Sequence, residues 1–345
     1  MSMERFERLK KMLEGCNQAH VVASFASLSP DEQNELLDDI EASDWWPSLQ
    51  GIFASSMSQG PSGPSEPLHA EPVKNVTRLD KPSIDRESWY NCGLELIAEG
   101  KVGVLLLAGG QGTRLGSSGP KGCYDIGLPS HKSLFQLQAE RISKVKGLAG
   151  DQKPLPWYIM TSQFTHKETI DHFETLNYFN LPKEDVVFFQ QGFLPCLTEQ
   201  GKIVMETRSK MAKAPDGNGG VYLSIERSGC LADMKKRGIE CLDVYCIDNA
   251  LARVCDPSFI GYCSSHGGGR GTEVGARVVA KAYPEERVGV FATLPGGDRG
   301  LRVLEYSELD PSLATAPDPT LPGSLLCECR DYPSSARLSS PQHAL

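Results

Sequence analysis

Between residues 109 and 122 the chain gathers residue types that suit binding to a polyphosphate. Gly109, Gly110, Gly112 and Gly116 are closely spaced, Thr113 and Arg114 stand among them, and Pro120-Lys121-Gly122 follows. Glycine carries no Cβ, so backbone N–H groups at such positions can approach a phosphate closely. Thr113 adds a hydroxyl, and Arg114 and Lys121 add two cations within reach of the same anion. The combination reads as a cradle for a nucleoside triphosphate, with the backbone at Gly109, Gly110 and Gly112 nearest the nucleotide.

Two commoner loops explain the pattern less well. Gly110, Gly112 and Gly116 form G-x-G-x-x-x-G, but the ribose-binding acid of a dinucleotide site, about 20 residues further on, is not evident. A Walker A loop needs a second glycine where Ser130 or His131 stands in the stretch Gly127 to Ser133. Neither loop calls for Arg114 together with Lys121.

Three further positions carry chemistry. Asp248-Asn249 follows the apolar run Leu242 to Ile247, and a carboxylate there is either a Mg²⁺ ligand beside a triphosphate or a turn and helix-cap aspartate. Gln191 follows Val186 to Phe189; its amide can donate and accept at once, although a solvated strand end is the ordinary role of such a residue. Ala214-Pro-Asp-Gly-Asn-Gly-Gly220 is a turn sequence whose glycines permit close approach of a ligand.

The elements that must position these residues alternate. Apolar runs predict strands over 102–108, 156–161, 186–190, 242–247, 276–281, 287–292 and 302–307. Helical patterns fall over 86–99, 133–147, 166–176, 220–236 and 256–265. Such alternation predicts an α/β domain with a largely parallel sheet, in which ligands sit at the carboxyl ends of strands. Residues 1–54 read as a helical region, with Ser29-Pro30-Asp31-Glu32 as a helix start. Residues 55–84 read as a flexible linker, 85–310 as the α/β domain and 311–345 as a polar, disordered tail.

Composition sets outer limits. The chain has 345 residues, 40% hydrophobic and 23% charged, as expected of a soluble globular protein. No apolar run approaches the roughly 20 residues of a membrane span, and the charged N-terminus has no signal-peptide core, so a cytoplasmic location is the expectation. A net charge of −9 argues against a non-specific nucleic-acid surface. Eleven scattered cysteines, Cys241, Cys246, Cys255 and Cys263 among them, read as free thiols. Oligomeric state is not legible.

The run Leu107-Ala-Gly-Gly-Gln-Gly-Thr-Arg-Leu-Gly116 with Pro120-Lys121-Gly122 resembles the signature loop of the UDP-sugar pyrophosphorylases. Gln136-Leu-Gln-Ala-Glu-Arg-Ile142, Trp157-Tyr-Ile-Met-Thr-Ser162, Ala214 to Gly220, Val244-Tyr-Cys-Ile-Asp-Asn249 and Val303-Leu-Glu-Tyr-Ser-Glu308 resemble UDP-N-acetylhexosamine pyrophosphorylases, in that family's order. The likeness covers residues 85 to 312 and, more loosely, the N-terminal helices.

That resemblance implies a Rossmann-like, GT-A-like fold of the nucleotide-diphospho-sugar transferases. Helices flank a mostly parallel sheet, and a helical N-terminal extension precedes it. It implies uridylyl transfer from UTP to an N-acetylhexosamine 1-phosphate, giving UDP-N-acetylglucosamine and pyrophosphate with Mg²⁺. Arg114 and Lys121 would be catalytic, stabilising the β and γ phosphates. Leu107, Ala108, Gly109, Gly110, Gly112, Thr113, Gln191 and Gly217 would bind the nucleotide, with Gln191 at the uracil edge. Asn218, Gly289 and Glu305 would line the sugar pocket, and Asp248 would hold the metal.

Past residue 309 the resemblance fades. Gly323-Ser-Leu-Leu326 still echoes the family, whereas Cys327 to Leu345 lacks the asparagine-rich strand and the later lysine that the family uses. The sequence is therefore read as a truncated product. The alternatives to the full activity are a non-catalytic nucleotide-binding fragment and a UDP-sugar pyrophosphorylase of broader specificity.

Overall fold

The computed structural model describes residues 2–43, 45–58, 73, 76, 77, 79, 85–266, 272, 274–279, 281, 283, 285–293, 301–306, 315, 336 and 337. In chain order its helices are α1 (Ser2–Gly15), α2 (Pro30–Glu41), α3 (Leu49–Ser58), α4 (Arg86–Ala98), α5 (Leu134–Leu148), α6 (His166–Thr175), α7 (Val221–Arg227), α8 (Cys230–Arg237) and α9 (Pro257–Ser265). Its strands are β1 (Val102–Leu107), β2 (Trp157–Thr161), β3 (Val186–Gln190), β4 (Phe193–Pro195), β5 (Lys213–Pro215), β6 (Cys241–Cys246), β7 (Val290–Thr293), β8 (Leu301–Leu304) and β9 (Ala336–Arg337). They fall into two compact units: Met1–Glu66 with Gly192–Gly219, and Pro67–Gln191 with Gly220–Leu345.

In the second unit the strands order as β3-β2-β1-β6-β9. The first four are parallel, and β9 pairs antiparallel with β6. Strands buried on both faces read as continuous apolar runs, and Val102–Leu107 and Trp157–Thr161 are of this kind. Alternation then divides the side chains between two cores. Val102, Val104, Leu106, Trp157 and Ile159 pack with Phe135 and Ile142 of α5 and Phe173 of α6. On the other face Leu105, Tyr158 and Met160 pack with Val221 and Ile225 of α7 and Met234 of α8. Helices therefore cover both faces, as the sequence predicts. Each fully buried Leu, Ile or Phe in these layers contributes about 1.5–3 kcal/mol relative to exposure.

Two predicted elements differ. The helical pattern at 220–236 divides into α7 and α8, because Gly229 takes a φ of +79°, a left-handed conformation that ends one helix and starts the next. The strand expected over 276–281 does not form among its described residues. Arg277 instead donates to Asp256, the N-cap of α9, at 2.5 Å, and its guanidinium lies 4.9 Å from the Phe259 ring. The strands expected at 287–292 and 302–307 appear as the antiparallel pair β7–β8.

In the first unit, Leu9 and Leu13 of α1, Leu36, Leu37 and Ile40 of α2, and Leu49 of α3 share a core with Trp45 and Trp46. Ser29 caps α2 through a reciprocal capping box with Glu32, as the sequence suggests. Helix α3 runs past residue 54 into the stretch read as linker; residues 59–72 lie outside the described residues. The segment 192–219 joins this unit through polar side chains. Buried Gln18 donates to the Gly201 carbonyl at 2.7 Å and accepts from the Ile203 N–H at 3.0 Å. Asp39 accepts from the Met211 N–H at 2.9 Å and pairs with Lys213 Nζ at 2.6 Å. Lys213, next to the turn at Ala214 to Gly220, is thus an anchored residue of this unit. Ile203 and Met211 complete its core.

Among the described residues no helix is long and apolar enough to cross a membrane. The tail from residue 311 lies outside the described residues except for Thr315, Ala336 and Arg337.

Candidate nucleotide site

The order β3-β2-β1-β6 reverses direction at β1, so the carboxyl ends of β1 and β6 flank a topological switch point, where open parallel sheets bind ligands. Strand pairing holds to the end of β1: Ile247 donates to the Leu107 carbonyl at 3.0 Å, and Ala108 donates to Met160 at 2.8 Å. Leu107 and Ala108 are therefore tied into the sheet, and the loop leaves it at Gly109.

The loop then folds back on itself. Gly112 donates to Gly119 at 2.9 Å and Lys121 donates to Gly110 at 3.2 Å, forming a bridge between Gln111 and Pro120. Leu115, Gly116 and Ser117 bond back to Gly112 and Thr113, with Gly116 at a φ of +75°. The amides of Gly109 and Gly110 stay out of these closing bonds. A short helix, Thr113–Leu115, carries Arg114 in the middle of the loop.

Each close approach in this loop uses a glycine. A Cβ on Gly110 would stand 3.5 Å from Lys121 Cε, so the lysine stem lies along that glycine. One on Gly122 would overlap the Phe135 ring of α5, which locks Pro120-Lys121-Gly122 to the core. On Gly109 it would overlap the Gln191 side-chain oxygen, and on Gly119 it would stand 2.5 Å from Glu168 Oε1 of α6.

Lys121 is the cation that the bridge delivers. Its Nζ lies 2.7 Å from Asp248 Oδ1, and Asp248 follows β6 on the far side of the switch point. Gln191, at the end of β3, is buried, and its N–H donates to the Thr161 carbonyl at 2.8 Å. The structure thus gathers Leu107, Ala108, Gly109, Gly110, Gln191, Lys121 and Asp248 at one edge of the sheet. Gly112, Thr113 and Arg114 sit on the loop above it. Nearby, burial pushes the Cys123 thiol up to about 12, with Glu168 adding to the shift, so this cysteine stays protonated and unreactive.

Four other predicted positions lie elsewhere. Gly217, at a φ of +74°, and Asn218 occupy an exposed turn after β5 in the first unit. Gly289 precedes β7 and Glu305 follows β8, so the antiparallel register sets them together at one end of that hairpin; Glu305 Oε1 is 3.7 Å from where a Gly289 Cβ would stand. Sequence reasoning passed over Thr161, His166 and Glu168, although Thr161 lies within a quoted motif. Their positions against Gln191 and Gly119 depend on strand order, which no local pattern records.

Asp248 offers hard oxygen donors on an exposed side chain, 64% accessible. No cluster of three or more His, Cys, Asp or Glu among the described residues could hold a metal by itself. An exposed carboxylate beside the glycine loop has the donor chemistry that Mg²⁺ takes when a bound phosphate supplies further oxygens, because Mg²⁺ keeps water and phosphate oxygens among its ligands. It does not fit a resident ion in an all-protein cage.

A parallel sheet flanked by helices, with a glycine loop and a carboxylate at its switch point, is consistent with the α/β nucleotidyltransferase fold of the structure that resembles it. The crystal structure of the uridine diphosphate N-acetylglucosamine pyrophosphorylase from Trypanosoma brucei, solved with an inhibitor, is similar over 96% of this chain and 66% of that one, with a TM-score of 0.81 and 30% identity. The model of the UTP–glucose-1-phosphate uridylyltransferase family matches residues 64–316, and the chain belongs to that family. It is 48% identical over 321 residues to UDP-N-acetylglucosamine diphosphorylase 2 of Arabidopsis thaliana, and 39% over 318 to the UDP-N-acetylglucosamine pyrophosphorylase of Saccharomyces cerevisiae. These alignments take in 90% of this chain but 62% and 65% of those proteins, so the chain spans under two thirds of their length.

Proposed function

We propose that this chain carries the uridylyl-transfer site of an enzyme that makes UDP-N-acetylglucosamine and pyrophosphate from UTP and N-acetylglucosamine 1-phosphate. The observation that carries the reading is the loop after β1. It returns Lys121 to Gly110 and sets its ammonium beside Asp248 at the switch point. The acceptor assignment draws support from the names of the relatives at 48% and 39% identity.

In this reading a phosphate oxygen of the sugar 1-phosphate attacks the α-phosphorus of UTP in line. The bond from that phosphorus to the oxygen bridging to the β-phosphate breaks, and pyrophosphate leaves with the electron pair. Such transfers depend on positioning and charge neutralisation more than on covalent help from the protein. Arg114 and Lys121 neutralise the β and γ phosphates, and the amides at Gly109 and Gly110 approach the nucleotide. Gln191 reads the uracil edge, donating and accepting through one amide. Asp248 would hold Mg²⁺, which supplies positive charge to the phosphates. Asn218, Gly217, Gly289 and Glu305 are assigned to base and sugar by the same reading. A cytosolic setting accompanies it, supported by the nine described cysteines, all free thiols.

The test is pyrophosphate release with UTP and Mg²⁺ against a panel of N-acetylglucosamine, N-acetylgalactosamine and glucose 1-phosphates. Fastest release with an N-acetylhexosamine 1-phosphate is expected. Equal rates across the panel would replace the acceptor assignment with a broad one, and turnover with none of them would contradict the reading.

A further inference from the structure

Polar groups crowd the carboxyl end of β2. Thr161, Ser162 and Thr165 are at most 1% exposed, and His166 opens α6 beside them. Thr161 Oγ1 donates to the Phe189 carbonyl at 3.1 Å and stands 2.8 Å from His166 Nδ1. A hydroxyl has one proton to give. Because a carbonyl can only accept, the threonine proton goes to Phe189, and His166 Nδ1–H must donate to Thr161. The direction of the chain is thereby set, from His166 to Thr161 to Phe189.

The same threonine makes a second tie to the next strand. Its backbone carbonyl accepts from the Gln191 N–H at 2.8 Å. Thr161 therefore holds the end of β3 at two points, Phe189 and Gln191, on either side of Gln190. Gln191 then lies with its side-chain oxygen against Gly109, where no Cβ would fit. An ordinary parallel strand pair needs only the backbone ladder. Here a side-chain bond oriented by an imidazole adds to it at the residue pair that ends on the nucleotide loop.

We propose that Thr161 and His166 are positioning residues for Gln191. They fix the end of β3 so that the glutamine amide presents one constant donor–acceptor edge to the nucleobase. The proposal rests on the reading of Gln191 as the uracil contact. Loss of the tie should weaken base discrimination, while affinity for the triphosphate portion, set by the loop after β1, is retained.

The experiment measures dissociation constants of UTP and CTP with Mg²⁺ for the full chain by calorimetry, with thermal melts alongside. The variants are Thr161→Val, Thr161→Ser, His166→Ala, His166→Asn and Gln191→Ala. Thr161→Val and His166→Ala are expected to reduce the UTP-over-CTP preference about tenfold, the scale of one lost hydrogen bond, with CTP affinity held. Thr161→Ser and His166→Asn keep a donor in place and should restore the preference, an outcome that a purely structural role does not produce. Preference kept in Thr161→Val and His166→Ala but lost in Gln191→Ala overturns the positioning role alone. Preference kept in Gln191→Ala, or no binding of either nucleotide by the wild type, overturns the reading of the site beneath it.

Discussion

Lys121 and Asp248 stand 127 positions apart in the sequence, yet their charged groups meet at 2.7 Å across the switch point between β1 and β6. The pair is open to solvent on the Asp248 side, and ion pairs of this kind contribute about 0–1 kcal/mol to stability. In the proposed function its value lies in what it offers a triphosphate. Lys121→Ala is therefore expected to leave the melting temperature nearly unchanged while lowering the rate of pyrophosphate release about 100-fold or more, the scale of losing one fixed charge-stabilising donor. Asp248→Asn should behave similarly in stability and raise the Mg²⁺ concentration needed for turnover. Parallel melts and initial rates check both.

Two glycines of the same loop should separate binding from folding. A Cβ on Gly109 meets the Gln191 side chain, whereas one on Gly122 meets the Phe135 ring in the core. Gly109→Ala is expected to weaken UTP binding with little change in stability, because an amide at the sheet edge can shift. Gly122→Ala should destabilise by about 1–3 kcal/mol, the usual cost of overpacking a filled core. Calorimetry with UTP and urea unfolding distinguish the two.

Within the first unit, buried Gln18 is one of the side chains that hold the segment 192–219, beside Asp39. Gln18 replaces a strand partner for Gly201 and Ile203, satisfying a carbonyl and an N–H together. Gln18→Ala leaves both groups without that partner, at about 1–3 kcal/mol each if they stay buried. Faster proteolytic cleavage within residues 196–213 is the expected result, read by mass spectrometry of a limited digest.

Acid should weaken the second unit through His172. Burial between the Phe135 and Phe179 rings holds this imidazole below its ordinary value of 6.5, and burial lowers His166 in the same direction. The unfolded chain takes up a proton near 6.5, while the folded imidazole does so only at lower pH. The stability contribution is thus complete above 6.5 and is lost as pH falls through the folded value. His172→Gln, which can keep the bond to Ser133 Oγ, should flatten the fall in melting temperature between about pH 7.5 and about pH 5.5.

Much of this was legible in residue order. The apolar runs at 102–107, 157–161 and 186–190 and the turns after them announced a parallel sheet, because burial on both faces removes alternation. Gly109, Gly110, Lys121, Gln191 and Asp248 were all chosen from sequence, and the sheet order brings them to one edge. Other features depend on distant partners. Gly192–Gly219 interrupts the α/β unit because Gln18 and Asp39, some 170–185 positions earlier, supply its hydrogen bonds. No local period records such a partner. The expected strand at 276–281 has apolar residues of the right kind, but Arg277 pairs with Asp256 at the start of α9 and lies over its Phe259 ring. The continuous helix at 220–236 failed at Gly229, a residue whose cost within a helix is small enough for the pattern to read through it.

If the sugar phosphate attacks the α-phosphate of UTP, the fate of radiolabel shows it. The chain is incubated with Mg²⁺, N-acetylglucosamine 1-phosphate and UTP labelled at either the α or the γ phosphate, beside an Arg114→Ala control. The expected result is α label in UDP-N-acetylglucosamine, γ label in pyrophosphate, and neither product in the control. Transfer of γ label to the sugar, its release as inorganic phosphate, or no turnover at all would contradict it.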